Sequence, residues 1–197
     1  VRYIINLVKA GNEEHINDIA RDVLCVTAKG KPIKPKTLGQ KAYVDAAVRA
    51  KEAGYDGIQL HGCHGYLINQ FMSPVYNKRI DIYGGSVVNR ARFGCEMIRA
   101  IREKCGEDFL ISVRVAGLEP TVEEAIAVAE EYVRAGCDYL QVSHGMTDLK
   151  ECPPYKDSEV STLASLGVYF HEHFKDRIPV SCVGGIFTPA QANHLLD

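Results

Sequence analysis

His61 and His64 stand three residues apart on a turn that also carries Gly62 and Gly65, directly after the apolar run Gly57–His61. Two imidazoles on so tight a turn can converge on one small acceptor and donate to an oxyanion as it develops. Tyr66, two residues on, adds a phenol able to deliver a proton. Other apolar runs also end in polar groups: Arg114 lies near the end of Leu110–Val115, Ser143 ends Tyr139–Ser143, and His144 follows it. Gly184-Gly185 comes after Pro179–Val183, where a Gly-Gly pair taken alone reads as a turn. The histidines admit a second chemistry: His61, His64 and His144 could be the ligands of a metal-dependent hydrolase.

Such residues need elements that hold them side by side. Five apolar runs have strand length: Tyr3–Leu7, Gly57–His61, Leu110–Val115, Tyr139–Ser143 and Pro179–Val183. Between most of them the periodicity is helical. Ala42, Tyr43, Ala46, Ala47, Ala50 and Ala53 recur on one face, with Gly54 as the stop. A second helix is expected from about Arg90 to Lys104, and a third after Thr121-Val122-Glu123-Glu124, a capping-box pattern. A fourth covers roughly Val160–Phe174, and a fifth opens at Thr188-Pro189, a cap followed by proline at the first helical position. The joints Ala53-Gly54-Tyr55-Asp56 and Ala135-Gly136-Cys137-Asp138 are near copies. Repeated helix–Gly–x–Asp–strand units imply a parallel sheet with helical crossovers.

The strand faces favour a barrel over a doubly wound sheet. Side chains alternate across a strand. Ile58 and Leu60 therefore oppose Gln59 and His61; Ile111, Val113 and Val115 oppose Ser112 and Arg114; Leu140 and Val142 oppose Gln141 and Ser143. A doubly wound sheet buries both faces and would be apolar on both. A (β/α)8 barrel turns one face to its helices and aims the other toward the C-terminal mouth, where active sites lie. A whole barrel needs eight strands and typically about 250 residues. The expectation is a partial α/β TIM barrel, residues 1–197 forming a single domain of about strands three to seven, cut at both ends.

Composition narrows the function classes. With 23 Lys and Arg against 25 Asp and Glu, the net charge of −2 disfavours a nucleic-acid partner. No run reaches the roughly 18 apolar residues of a membrane helix, so no membrane partner is expected. The seven cysteines are odd in number and scattered without a C-x-x-C pair, which argues against a secreted disulfide scaffold and for a cytoplasmic protein.

The run His61-Gly62-Cys63-His64-Gly65-Tyr66-Leu67, then Phe71-Met72-Ser73-Pro74, Asn77-x-Arg79-x-Asp81-x-Tyr83-Gly84-Gly85-Ser86 and Asn89-Arg90-x-Arg92-Phe93, closely resembles the old yellow enzyme family of NADH:flavin oxidoreductases. The branch with two histidines and the 2,4-dienoyl-CoA reductase-like enzymes look nearest. The resemblance implies a (β/α)8 barrel carrying FMN across its mouth, reduced by NADH or NADPH. It implies hydride transfer to the C=C bond of a small-molecule α,β-unsaturated carbonyl compound or an enoyl or dienoyl thioester. By position His61 and His64 would hold the substrate carbonyl oxygen, and Tyr66 would protonate the α-carbon. Arg114 matches the arginine beside the flavin, and Gly184 and Gly185 match the glycines at the FMN phosphate. Asn6 stands where a glutamine contacts the flavin pyrimidine, its amide one methylene shorter. His144 would reach the substrate from the next loop but one. Cys63 replaces a small residue between the histidines and reads as packing. An iron–sulfur cluster and an FAD domain, found in many relatives of this branch, are expected only outside these residues. An isolated, non-catalytic segment with an incomplete flavin site is the remaining alternative, and open strand edges predict self-association or pairing with missing barrel segments.

Overall fold

The computed structural model describes residues 38–153, 157 and 160–196. The expected strand Tyr3–Leu7, Asn6 within it, and Cys25 lie outside the described residues. The chain runs α1 (Leu38–Glu52), β1 (Gly57–Gly62), α2 (Leu67–Met72), α3 (Val87–Cys105), β2 (Leu110–Ala116), α4 (Val122–Arg134), β3 (Tyr139–Ser143), α5 (Thr162–Phe174), β4 (Val180–Cys182) and α6 (Pro189–His194). Short 3-10 turns cover Leu149–Glu151 and Lys175–Arg177.

All strand pairs are parallel, and the sheet order β1-β2-β3-β4 follows the chain. A doubly wound sheet reverses its order at a switch point. Here each crossover helix instead carries the chain one strand onward, the advance of a barrel wall. Leu60, Ile111, Val113, Leu140 and Val142 are buried beneath the helices. They join Tyr43, Ala47, Ile98, Ile101, Tyr132, Leu166 and Phe170 in one apolar core. The opposite face carries Gln59, Ser112, Arg114, Gln141 and Ser143, the alternation expected of it.

The near-copied joints are pinned by polar contacts. Asp56 O accepts from Leu110 N at 2.9 Å, and Asp138 Oδ2 accepts from Ile111 N at 2.7 Å and from Arg102 Nη2 at 2.5 Å. Some elements differ from expectation. Helix α3 starts at Val87, three residues early, because Ser86 caps it by accepting from Asn89 N. Strand β4 is shorter than Pro179–Val183. Helix α2, six residues with no side-chain cap, is too short to show a helical period in the sequence. Among the described residues, no helix is long and apolar enough to cross a membrane.

Candidate active site

Strand register lines up the polar face. His61 is the partner of Arg114, Arg114 of Gln141, and Gln141 of Ser181. The four side chains thus form one row across the sheet, with Ser143 one step nearer the C-terminal ends. Beyond β1 the chain turns back sharply. His64 has φ +57° and Gly65 φ +74°, two successive left-handed residues. That conformation costs a residue with a β-carbon roughly 1–2 kcal/mol, so contacts must hold His64 there. His64 N donates to His144 O at 3.3 Å, and Gly65 N donates to Asn69 Oδ1 at 2.9 Å.

The turn brings three rings together. The His61 and His64 centroids are 5.1 Å apart at 71°, and those of His61 and Tyr66 are 4.7 Å apart at 49°. Tyr66 is 38% exposed, so its side chain is partly open to solvent. Buried Ser143 links this group to the row: its Oγ lies 2.9 Å from His64 Nε2 and accepts from Arg114 Nη2 at 3.2 Å. Burial, reinforced by the His64 ring and the Arg114 guanidinium, pushes His61 down to about 4. His64 is also lowered, by burial first and then by Arg114 and His144. The His61 imidazole is therefore neutral at pH 7, with one N–H to donate, and the more exposed His64 is shifted the same way.

His144 reaches the same corner through its backbone, while its ring Nε2 donates to Thr147 O at 2.7 Å. The ligand atoms of His61, Cys63 and His64 lie within 4.8 Å of one another, with Cys63 Sγ 3.7 Å from His61 Nδ1. His144 is not in this group, so the three-histidine metal set does not assemble. The Arg114 charge that disfavours protonated imidazoles would equally oppose a dication. Cys63 is fully buried in the core, as its packing role requires, and burial pushes its thiol up to about 12.

The long loop after α2 is braced internally. Asn77 Nδ2 donates to Phe71 O and Tyr83 O at 2.6 and 2.7 Å, Tyr83 Oη donates to Glu96 at 2.9 Å, and Arg79 pairs with Asp81. Arg90 donates to Met72 O at 2.8 Å and pairs with Glu124, and Arg92 donates to Ile82 O. Three features were not assigned from sequence: the Ser143 link, the buried Gln141 amide, and a cluster of Asn69, Ser73 and Glu119 behind the turn. Glu119 left one trace, an acidic residue in the otherwise apolar run Ala116-Gly117-Leu118 before Pro120.

The profile of the NADH:flavin oxidoreductase / NADH oxidase family matches residues 37–153, more than half of the chain. The chain belongs to this family. An NADH oxidase of Thermoanaerobacter brockii is 44% identical over 161 residues, covering 78% of this chain and 24% of that protein. An NADPH dehydrogenase of Bacillus pumilus is 38% identical over 163 residues, 79% of this chain and 45% of that protein. The structure of 2-naphthoyl-CoA reductase with 2-naphthoyl-CoA superposes with a TM-score of 0.61 at 28% identity, covering 78% of this chain and 26% of the other. An old yellow enzyme homologue from Zymomonas mobilis superposes at 0.58 and 25% identity, covering 80% of this chain and 44% of that one. The fold is accordingly a segment of the family's TIM barrel, and the chain spans less than half the length of these relatives.

The family's flavin can be tested against the residues present. Gln141 Oε1 is buried and accepts from no group among the described residues, so it suits a ring system that carries N–H donors. Arg114 supplies a cation beside it in the row. Gly184 and Gly185, at φ +92° and +73°, turn the backbone just past β4, and an added Cβ would lie 2.1 Å from Leu163 and 2.2 Å from Ser161. The side chains, charge and backbone of this chain fit the group.

Proposed function

We propose that the chain forms the catalytic wall of an FMN-dependent ene-reductase. Its substrate would be an α,β-unsaturated carbonyl compound or an enoyl or dienoyl thioester. The convergence of the His61, His64 and Tyr66 rings beside Arg114 carries this reading. The similar protein that binds 2-naphthoyl-CoA, a conjugated thioester, supports the substrate class.

In this reading Asn6, Arg114, Gly184 and Gly185 hold the FMN, Arg114 setting a fixed positive charge against the ring system. Held there, FMN would supply the hydride, drawn from NADH or NADPH, that the substrate β-carbon takes up. His61 and His64 donate to the carbonyl oxygen, with His144 flanking them on the substrate side. As the C=C π bond breaks, negative charge moves onto that oxygen. Two neutral donors placed beforehand stabilise it most when the charge is fully developed. Tyr66 gives its O–H proton to the α-carbon and regains one from water at the open mouth. An Arg114 N–H occupies one Ser143 lone pair, and in the tautomer that serves substrate the serine O–H donates to His64 Nε2. The His64 proton then sits on Nδ1, free for substrate.

The odd, scattered cysteines support a cytoplasmic setting. Pairing with further barrel segments or with itself would cover open parallel strand edges, which are association-prone. Any iron–sulfur or FAD centre would have to come from outside these residues, whose cysteines carry no cluster spacing.

The visible spectrum tests the core of the proposal: a yellow protein bleached by NAD(P)H and recoloured by an enone supports it. In that protein Tyr66→Phe should slow alkene reduction about 10²-fold or more while flavin reduction is unchanged. Loss of flavin reduction in Tyr66→Phe would rule the tyrosine out as the proton donor to the α-carbon.

A further inference from the structure

Glu119 is 1% exposed, yet it carries an acid into the apolar interior behind the turn. Four groups donate to it. Asn69 Nδ2 reaches Oε2 at 3.2 Å and Met146 N reaches the same oxygen at 2.7 Å. Ser73 Oγ reaches Oε1 at 2.7 Å, and Thr147 Oγ1 lies at a longer 3.5 Å. Burying a carboxylate is costly unless its lone pairs are met, and here neutral donors from α2 and its cap and from the loop after β3 meet them. Gly145 leaves the space, since an added Cβ would fall 2.8 Å from Oε2.

The donors are the supports of His64. With Nδ2 committed to Glu119, the Asn69 amide must turn Oδ1 outward, and Oδ1 accepts from Gly65 N at 2.9 Å. On the other side His64 N donates to His144 O, and the His144 loop is tied back to Glu119 through Met146 N. Both hydrogen bonds that flank the left-handed His64 thus trace to one side chain.

We propose that Glu119 is a positioning residue for His64: its hydrogen bonds lock the Asn69 amide and the 144–147 loop, and these hold the His64–Gly65 turn with its imidazole beside His61 and Ser143. The proposal rests on the reading of His64 as a donor to the substrate oxygen, and the experiment separates the two. Oε2 receives two N–H groups that cannot reverse, whereas Oε1 receives hydroxyls that can. Glu119→Gln, with its amide nitrogen toward the hydroxyls, keeps the links to Asn69 and Met146. Glu119→Ala loses both, and Asn69→Ala cuts the path without touching the acid, which serves if Glu119→Ala does not fold.

The probes are the ring resonances of ¹⁵N-histidine-labelled protein and binding of a phenolate, whose single oxyanion stands in for the enolate oxygen. Asn69→Ala and Glu119→Ala should move the His64 ring resonances while leaving those of surface His173 in place. They should weaken phenolate binding roughly tenfold, the worth of one hydrogen bond. Glu119→Gln should keep the His64 resonances near their original positions. Unmoved His64 resonances in folded Asn69→Ala, or Glu119→Gln shifting them as far as Glu119→Ala does, would overturn the proposal. If His64→Ala binds phenolate unchanged while Asn69→Ala still moves the His64 ring, the positioning role holds and the donor role of His64 fails.

Discussion

At the scale of the residue, the site disfavours charge on its histidines, most of all on His61. Burial and the neighbouring guanidinium hold His61 near 4, well below the ordinary imidazole value. As pH falls below the ordinary imidazole range, the unfolded chain takes up a proton that folded His61 refuses, so stability drops until the pH reaches about 4. Urea unfolding at pH 7 and pH 5 should show this loss, and His61→Gln should lessen it. An unchanged pH dependence in that variant would place the titrating group elsewhere. Phenolate binding should show no inflection from His61 between pH 6 and 8, because that ring is already neutral there. His61→Ala should weaken phenolate binding at least tenfold at pH 7. A third case concerns Tyr132, whose buried hydroxyl has no partner among the described residues. Tyr132→Phe should raise stability by about 1 kcal/mol, since an unmet buried donor costs more than it returns. Calorimetric melting checks the direction.

At the scale of the element, caps and joints fix where each strand delivers its end residue. Thr121 accepts from Glu124 N at 3.2 Å and starts α4, but the reciprocal half of the expected capping box is missing because the Glu124 carboxylate pairs with Arg90 instead. Helix α6 does carry both halves, through Thr188 and Gln191. Thr121→Ala should therefore cost about 1 kcal/mol in urea unfolding. The Arg90–Glu124 pair should persist in it, since neither partner depends on the threonine hydroxyl. A loss near zero would mean that packing of α4 on α3 alone sets the helix start.

At the scale of the whole molecule, four parallel strands in chain order give a wall that places the ends of successive strands side by side. Arg114 and Ser143 meet His64 only because β2 and β3 stand next to β1 in register. Strand edges left open in a parallel wall would favour association. Light scattering at rising concentration should show association beyond the monomer, and a monomer at all concentrations would end that expectation.

The sequence by itself determined the alternation of strand and helix, the inward polar faces, and the turn that gathers His61, His64 and Tyr66, because these lie in short-range spacing and in a long, specific motif. Only the tertiary structure decided that Ser143 bridges His64 and Arg114. Only it showed that His144 serves the turn through its backbone, and that Glu119 stands behind both loops. Asn69 and Ser73 are 50 and 46 residues from Glu119 in the chain, and His64 is 79 from Ser143. Such pairs leave no periodic trace in a single sequence. Their partners are chosen by strand register and by the need to satisfy each buried polar atom, and both are fixed only when the sheet closes over its helices.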